Sequence, residues 1–394
     1  METNPYSPGA GRLPVAFVGR QRELDVWSGS VRRVMVGRDA RSLVLTGLRG
    51  MGKTVLLTNF AQTARDKKWM VAQVEAGAGK GLRQLIAERF QAQLSDIARG
   101  GAGQRTVTAI KSLLSFVKPS VDPMTGSWSF GLDFSGASGG GADTGILEAD
   151  LGRVLTDLTE VAKERGVGVA LLVDEAQGLK KEELAAFCQI IQAAGQSQAP
   201  LLVALAGLPN LPLKLAEAKT YAERLFDYHT VGALSSQESR AALLEPAAQE
   251  HVAWTNEAAD LVLEAAHGYP YFIQQFGSDT WDAATSSPIT PDVARVGLAA
   301  GKASLDAGFY RARWDRATPA ERDYLRAMAP DGDGGSTTGQ IAARLGRTPS
   351  SLSPTRSNLI VKGLIFAPDQ GRLAFTVPAM GEFIIRQKVS DQSA

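Results

Sequence analysis

The chain has 394 residues, room for two to four domains at about 100 to 200 residues each, which excludes a peptide or a disulfide-stapled miniprotein. Hydrophobic residues make up 44% and charged residues 21%, which fits neither wholesale disorder nor a coiled coil; 42 Lys and Arg against 41 Asp and Glu leave +1, so any polyanion must be met by a local patch. The single cysteine, Cys188, excludes an internal disulfide, no long apolar run predicts a membrane span, and a start without a basic and apolar leader makes the cytoplasm the expected location.

Residues 1–13 are rich in Pro, Gly and Ser and predict a loose arm, with order beginning near Pro14 and a helix near Gln21. Apolar residues 42–46 predict a strand that meets a glycine loop, followed by a helix to about Lys67 and a strand over 69–74. That is a βαβ unit. Apolar runs at 167–173 and 200–206 flank a helical stretch at 180–194 and continue a parallel sheet, so residues 14–235 read as an α/β core. Between about 100 and 145, glycine clusters flank Trp128-Ser129-Phe130-Gly131-Leu132-Asp133-Phe134, whose period-two alternation predicts a β-hairpin insertion; a surface loop with a few apolar residues is the alternative. Residues 236–300 show apolar spacing near 3.6 over 237–250, 256–266 and 271–284, which predicts a helical lid.

Residues 301–394 form a further unit. Thr318-Pro319-Ala320-Glu321 is a capping box that starts a helix. Helices over 338–345 and 350–362 are joined by Gly346-Arg347-Thr348-Pro349, and strands at 364–366 and 372–377 pair across Asp369-Gln370-Gly371. The order is that of a winged helix-turn-helix, with Pro354 predicting a kink or a late start in the second helix.

Gly47-Leu48-Arg49-Gly50-Met51-Gly52-Lys53-Thr54 fits G-x-x-x-x-G-K-[ST] between a predicted strand and a predicted helix. Such a loop turns its amides toward phosphate oxygens, and the following helix, with Val55 in its first turn, offers its positive end. Lys53 then reaches the β and γ phosphates, and Thr54 ligates Mg²⁺. Asp174 and Glu175 end a buried strand, where Asp174 would steady the metal and Glu175 would polarise the attacking water as general base. In isolation that pair reads as a solvated strand end; beside the P-loop the two motifs predict ATP or ADP with Mg²⁺, and ATP hydrolysis. His229, His251 and His267 lack metal-ligand spacing, and Cys188 on an apolar helical stretch reads as a buried structural thiol.

With these motifs stand Phe17-Val18-Gly19-Arg20-Gln21-Arg22-Glu23-Leu24, Ala206-Gly207-Leu208-Pro209-Asn210 and Gly268-Tyr269-Pro270. On them the chain, over about residues 14 to 390, resembles the AAA+ ATPases, in the branch of the replication initiators related to Orc1 and Cdc6 and the neighbouring STAND-type signalling ATPases. The resemblance implies an AAA+ P-loop NTPase sheet with a helical lid and a C-terminal winged helix. It implies that Val18, Gly19 and Arg20 line an adenine pocket and that Tyr269 and Pro270 back the adenine or ribose. It makes Asn210 the candidate sensor of the γ phosphate, a simple Pro-Asn turn being the alternative. Arg224 stands where a trans-acting arginine finger would reach the next subunit of a homo-oligomer, the alternative being a local pair with Glu223 or Asp227. No arginine follows Gly268-Tyr269-Pro270 where a second sensor arginine belongs, which implies slow or partner-stimulated hydrolysis and a switch rather than a motor.

Between Thr337 and Lys388 seven cations oppose two carboxylates, a local +5. With Ser351, Ser353, Thr355, Arg356 and Asn358 on the second helix and Arg372 on the wing, the segment reads as a double-stranded DNA reader whose grip is set by nucleotide. The alternative is a signalling or assembly ATPase whose winged helix closes on the nucleotide or docks a protein; a filament-forming transposition ATPase is a third reading. The 116–134 hairpin, with Trp128 and Phe130, is a candidate protein-partner site unless those rings pack onto the domain itself.

Overall fold

The computed structural model describes residues 3–9, 11–77, 81–101, 103–116, 142 and 144–391, with side chains to residue 387. Strands β1 (Ser42–Thr46), β2 (Met70–Glu75), β3 (Val169–Asp174), β4 (Leu201–Gly207) and β5 (Phe226–Thr230) form one sheet in the order β2-β3-β4-β1-β5, all neighbours parallel. β1, β3 and β4 are buried at every residue, which is why they read as unbroken apolar runs: helices cover both faces. Alternate side chains enter opposite cores. Leu43 and Leu45 meet Trp27 and Phe60 of helices Gln21–Met35 and Lys53–Asp66, whereas Val44 joins Phe90, Leu155 and Phe187 on the other face. Trp27 stacks on Phe60 at 4.8 Å between centroids and donates its indole N–H to the Phe60 carbonyl. Cys188 is fully buried, and burial pushes its thiol up to about 11.

Two expectations change. The range read as a hairpin contains a helix, Gln104–Phe116, because Thr106, Ala109, Ile110, Leu113 and Phe116 recur at helical spacing and are all buried. Trp128 and Phe130 lie outside the described residues. The N-terminal arm is not loose where it is described. Tyr6 is 4% exposed and donates its hydroxyl to the Leu243 carbonyl at 2.6 Å, and its ring fills the place beside Gly277 where a Cβ would come within 2.7 Å. Asn4 donates to the Ser278 carbonyl and to Asp282, and Ser7 N–H donates to Gln274. One aromatic residue inside a polar run carries little weight in a composition window, yet here it anchors the segment.

Helices Ser236–Gln249, Asn256–Ala266, Pro270–Ala283 and Pro291–Ser304 form the bundle that receives this arm, the first begun by a Ser235–Glu238 capping box. A π-helical turn, Leu305–Tyr310, leads through Arg311–Trp314 into the last unit. There, helices Pro319–Met328, Thr338–Leu345, Ser353–Val361 and Met380–Asp391 accompany β6 (Ser336–Thr337), β7 (Ile365–Phe366) and β8 (Arg372–Phe375) in an antiparallel sheet ordered β6-β8-β7. Pro354 falls in the first turn of its helix, where its missing N–H costs nothing, so the late start is the one realised. Among the described residues no helix is long and apolar enough to cross a membrane.

Replacing Tyr6 by Ala removes a buried ring and a buried hydrogen bond, and should cost about 3 kcal/mol in urea unfolding. A loss under about 1 kcal/mol would mean that the arm does not pack as described.

Candidate nucleotide site

β1 ends at Thr46 and the helix Lys53–Asp66 begins seven positions on, so the intervening loop lies at the C-terminal edge of the sheet with the helix's positive end behind it. Gly50 and Gly52 hold φ of 84° and 92°, a region closed to most side chains, which lets successive amides turn the same way. Lys53 is only 6% exposed, and its ammonium donates to the carbonyls of Gly47 and Leu48, both at 2.8 Å. Burial pushes its pKa down to about 8, against the opposing pull of Glu175 and Asp174.

Across the sheet, Thr54 donates its hydroxyl to Asp174 Oδ2 at 2.5 Å. The Asp174 carboxyl is raised by burial, an effect resisted by hydrogen bonds from Thr54 and from the Glu175 amide. Glu175 is held at φ 50°, ψ 33°, a left-handed conformation uncommon for this residue type. Its Oε2 accepts from Arg49 Nη2 at 2.8 Å and from Gln177 at 2.6 Å. Glu75 ends β2 in register with Asp174, and burial, Asp174 and Glu175 raise its carboxyl; the sequence reading passed over it, although its place at the end of the second strand was the available signal.

A cavity of about 330 Å³ opens over the loop. Of the residues singled out from sequence, Val18, Arg20, Arg49, Gly50, Met51, Gly52, Lys53, Thr54, Val55, Glu175 and Pro270 line it. Gly19, Gly47, Leu48, Asp174, Asn210 and Tyr269 do not. Arg20 is buried and spends its donors on the carbonyls of Gly19, Met51 and Gly232, so it braces the loop. Tyr269 is 2% exposed behind Gly50, where a Cβ would fall 2.7 Å from its hydroxyl; its neighbour Tyr271 faces the cavity instead. Asn210 stands at the start of helix Leu211–Ala218 with its Oδ1 buried and unpartnered. Arg224 is exposed on the short helix Ala222–Leu225, with no ion pair to Glu223 or Asp227 among the described residues. Sequence reasoning missed two further wall segments: Ser7, Gly9, Gly11 and Arg12 of the arm with Pro14 just after it, and Phe309 with Arg313.

The wall suits a nucleotide. It combines Lys53, Arg49 and Arg313 with apolar Phe17, Val18, Leu234 and Ala242, and the Thr54 hydroxyl and Asp174 carboxylate are the hard oxygen donors that Mg²⁺ prefers. The fold and site define a P-loop nucleotide-binding protein. Residues 16–204 match the family model described as "AAA ATPase domain", and residues 307–384 match one described as "Domain of unknown function (DUF8462)". Over residues 16–204 the chain is thus similar to AAA ATPase domains, and the loop and sheet are those of a P-loop fold. Comparison with curated protein sequences gives no match. Among solved structures, the Walker-type ATPase Paby2304 of Pyrococcus abyssi is similar at 16% identity and a TM-score of 0.58, over 94% of this chain and 96% of that one, a likeness of fold. The Aeropyrum pernix Orc1 protein in complex with DNA aligns at 14% identity and a TM-score of 0.48, over 97% and 96%. The Thermotoga maritima RuvB Holliday junction branch migration motor aligns at 16% and 0.43, over 91% and 92%.

The C-terminal basic segment is less charged than its sequence. Arg344 pairs with Asp331, Lys362 with Glu321 and Arg386 with Asp306, all acids that precede the segment and are brought to it by packing. Arg347, Arg356 and Arg372 form no ion pair among the described residues, and the Lys388 side chain lies outside them. Ser351, Asn358 and Arg372 are exposed; Ser353, Thr355 and Arg356 are half-buried.

Because the free Lys53 titrates near 8 and a bound phosphate restores its proton, nucleotide binding should take up close to one proton at pH about 9 and weaken as pH rises through that range. Calorimetry in two buffers of different ionisation enthalpy measures this uptake; none at all would remove Lys53 from phosphate contact.

Proposed function

We propose that this chain is an ATPase and a nucleotide-controlled switch whose resting form holds the C-terminal unit against the P-loop. One observation carries the reading: the Arg49 amide, inside the loop, donates to the Thr376 carbonyl just beyond β8 at 3.1 Å. Leu48 packs beside the same contact with Leu208, Phe366 and Ala374. In this reading residues 14–235 are the ATPase core, 236–300 the lid and 301–394 a winged helix. The Phe17–Leu24 segment and the Gly268-Tyr269-Pro270 turn favour the initiator-like and STAND-like branch.

Lys53 and the loop amides hold the phosphates, while Thr54 and Asp174 hold Mg²⁺, which when bound neutralises phosphate charge. Glu175 is the general base, and its pairing with Arg49 keeps it neutralised while the C-terminal unit is docked. Arg224, exposed and without an ion pair among the described residues, is suited to a neighbouring subunit's site. Ser351, Ser353, Thr355, Arg356, Asn358 and Arg372 would contact duplex DNA, and release of the unit would change how they are oriented relative to the core. The second reading, a signalling or assembly ATPase with a protein output, is favoured by the pairing of Arg344, Lys362 and Arg386 with acids, which leaves a modest patch.

Lys53→Ala should abolish nucleotide binding, and Glu175→Gln should keep binding but lower turnover about 100-fold or more, read by phosphate release. Normal turnover in the glutamine variant would take Glu175 out of the base role. Duplex DNA affinity should change between ADP and a non-hydrolysable ATP analogue and fall steeply with salt. Indifference to DNA under every nucleotide would leave the signalling reading. Arg224→Ala should keep nucleotide affinity and lose any concentration-dependent turnover; equal turnover at all protein concentrations in the parent chain would make it a surface residue.

A further inference from the structure

We infer that Arg313, on the segment that joins the lid to the C-terminal unit, is a contact for the terminal phosphate of a bound nucleoside triphosphate. The inference rests on the nucleotide site proposed above and adds to it a residue from outside the ATPase core.

Four observations carry it. First, Arg313 lines the same cavity as Lys53, Arg49 and Glu175. Second, charge does not balance there: five cations, Arg12, Arg20, Arg49, Lys53 and Arg313, line the cavity with one carboxylate, Glu175, which is already paired with Arg49. Third, Arg313 has no acid within ion-pair distance among the described residues, whereas Arg311 and Arg322, on either side of it, both reach Asp315. Its guanidinium lies 4.0 Å over the Phe309 ring, with one donor turned back to the Phe309 carbonyl. Fourth, that platform is fixed: Phe309 stacks on Tyr271 of the lid at 5.0 Å between centroids, and it sits in the π-helical turn Leu305–Tyr310.

A half-buried cation without a counter-ion costs stability, so its retention in a polar cavity calls for a ligand of opposite sign. Burial and the neighbouring Arg49 both disfavour its charge, the cost that an incoming anion would relieve. A planar guanidinium suits a phosphate better than a carboxyl-free pocket of amides alone, because its fork offers two parallel donors. A diphosphate is already satisfied by the loop amides and Lys53; the third phosphate brings the charge that the remaining cations lack. Since Arg313 stands at the root of the C-terminal unit, that contact would give the unit a direct grip on whether the third phosphate is present.

The test uses the full chain and two probes, ADP and an ATP analogue with a nitrogen bridge between the β and γ phosphates, titrated by calorimetry with Mg²⁺. Arg313→Gln should weaken the analogue about tenfold while ADP stays within about threefold, and Arg313→Lys should recover part of the loss. Thermal unfolding of the nucleotide-free variant should be unchanged or raised, since an uncompensated charge has gone. Equal losses for both probes, or none, would overturn the inference. If the parent chain binds neither probe, it is the nucleotide site itself that fails, and the two outcomes are distinct.

Discussion

Arg49 holds two things at once, and the arrangement of the molecule depends on it. Its guanidinium grips Glu175 at the end of β3, and its amide donates to Thr376 beyond β8. A residue in the middle of the loop therefore links the carboxylate at the end of β3 to the unit farthest along the chain. The Arg49 side chain is 32% exposed and that of Glu175 25%, so the ion pair adds little to global stability; its value lies in position rather than in energy. Anything that draws the guanidinium away leaves the Glu175 carboxylate without this partner, while the backbone tie to Thr376 stands apart from it.

Much of the core was legible from the chain alone because its signals are local. Buried parallel strands read as apolar runs, and the phosphate loop is eight contiguous residues whose glycines are demanded by backbone geometry. The strands at 42–46, 169–174 and 201–207 and the lid helices follow from periodicity that needs no tertiary partner. The Thr318 capping box is likewise a four-residue affair, and the structure contains it.

What was not legible depends on distant partners. Arg20 looks like a surface cation until Met51 and Gly232 turn their carbonyls on it. Tyr269 could not be assigned to the cavity or to the space behind Gly50 without the loop in place. The cations of the last unit looked free because Asp306, Glu321 and Asp331, which neutralise three of them, lie earlier in the chain. Arg313 was invisible for the same reason: no motif surrounds it, and only the packing of Phe309 on Tyr271 brings it to the wall.

The strap of residues that starts at Asn4 has a mechanical meaning. Its anchor, Tyr6, is sunk among the lid helices, and a few residues later a Cβ added at Gly11 would fall 3.3 Å from the Thr54 methyl. Ser7, Gly9, Gly11 and Arg12 of this ribbon line the cavity, so the same segment is pinned to the helical bundle at one end and forms cavity wall at the other. Any movement of the helical bundle would therefore carry that stretch of the cavity wall with it.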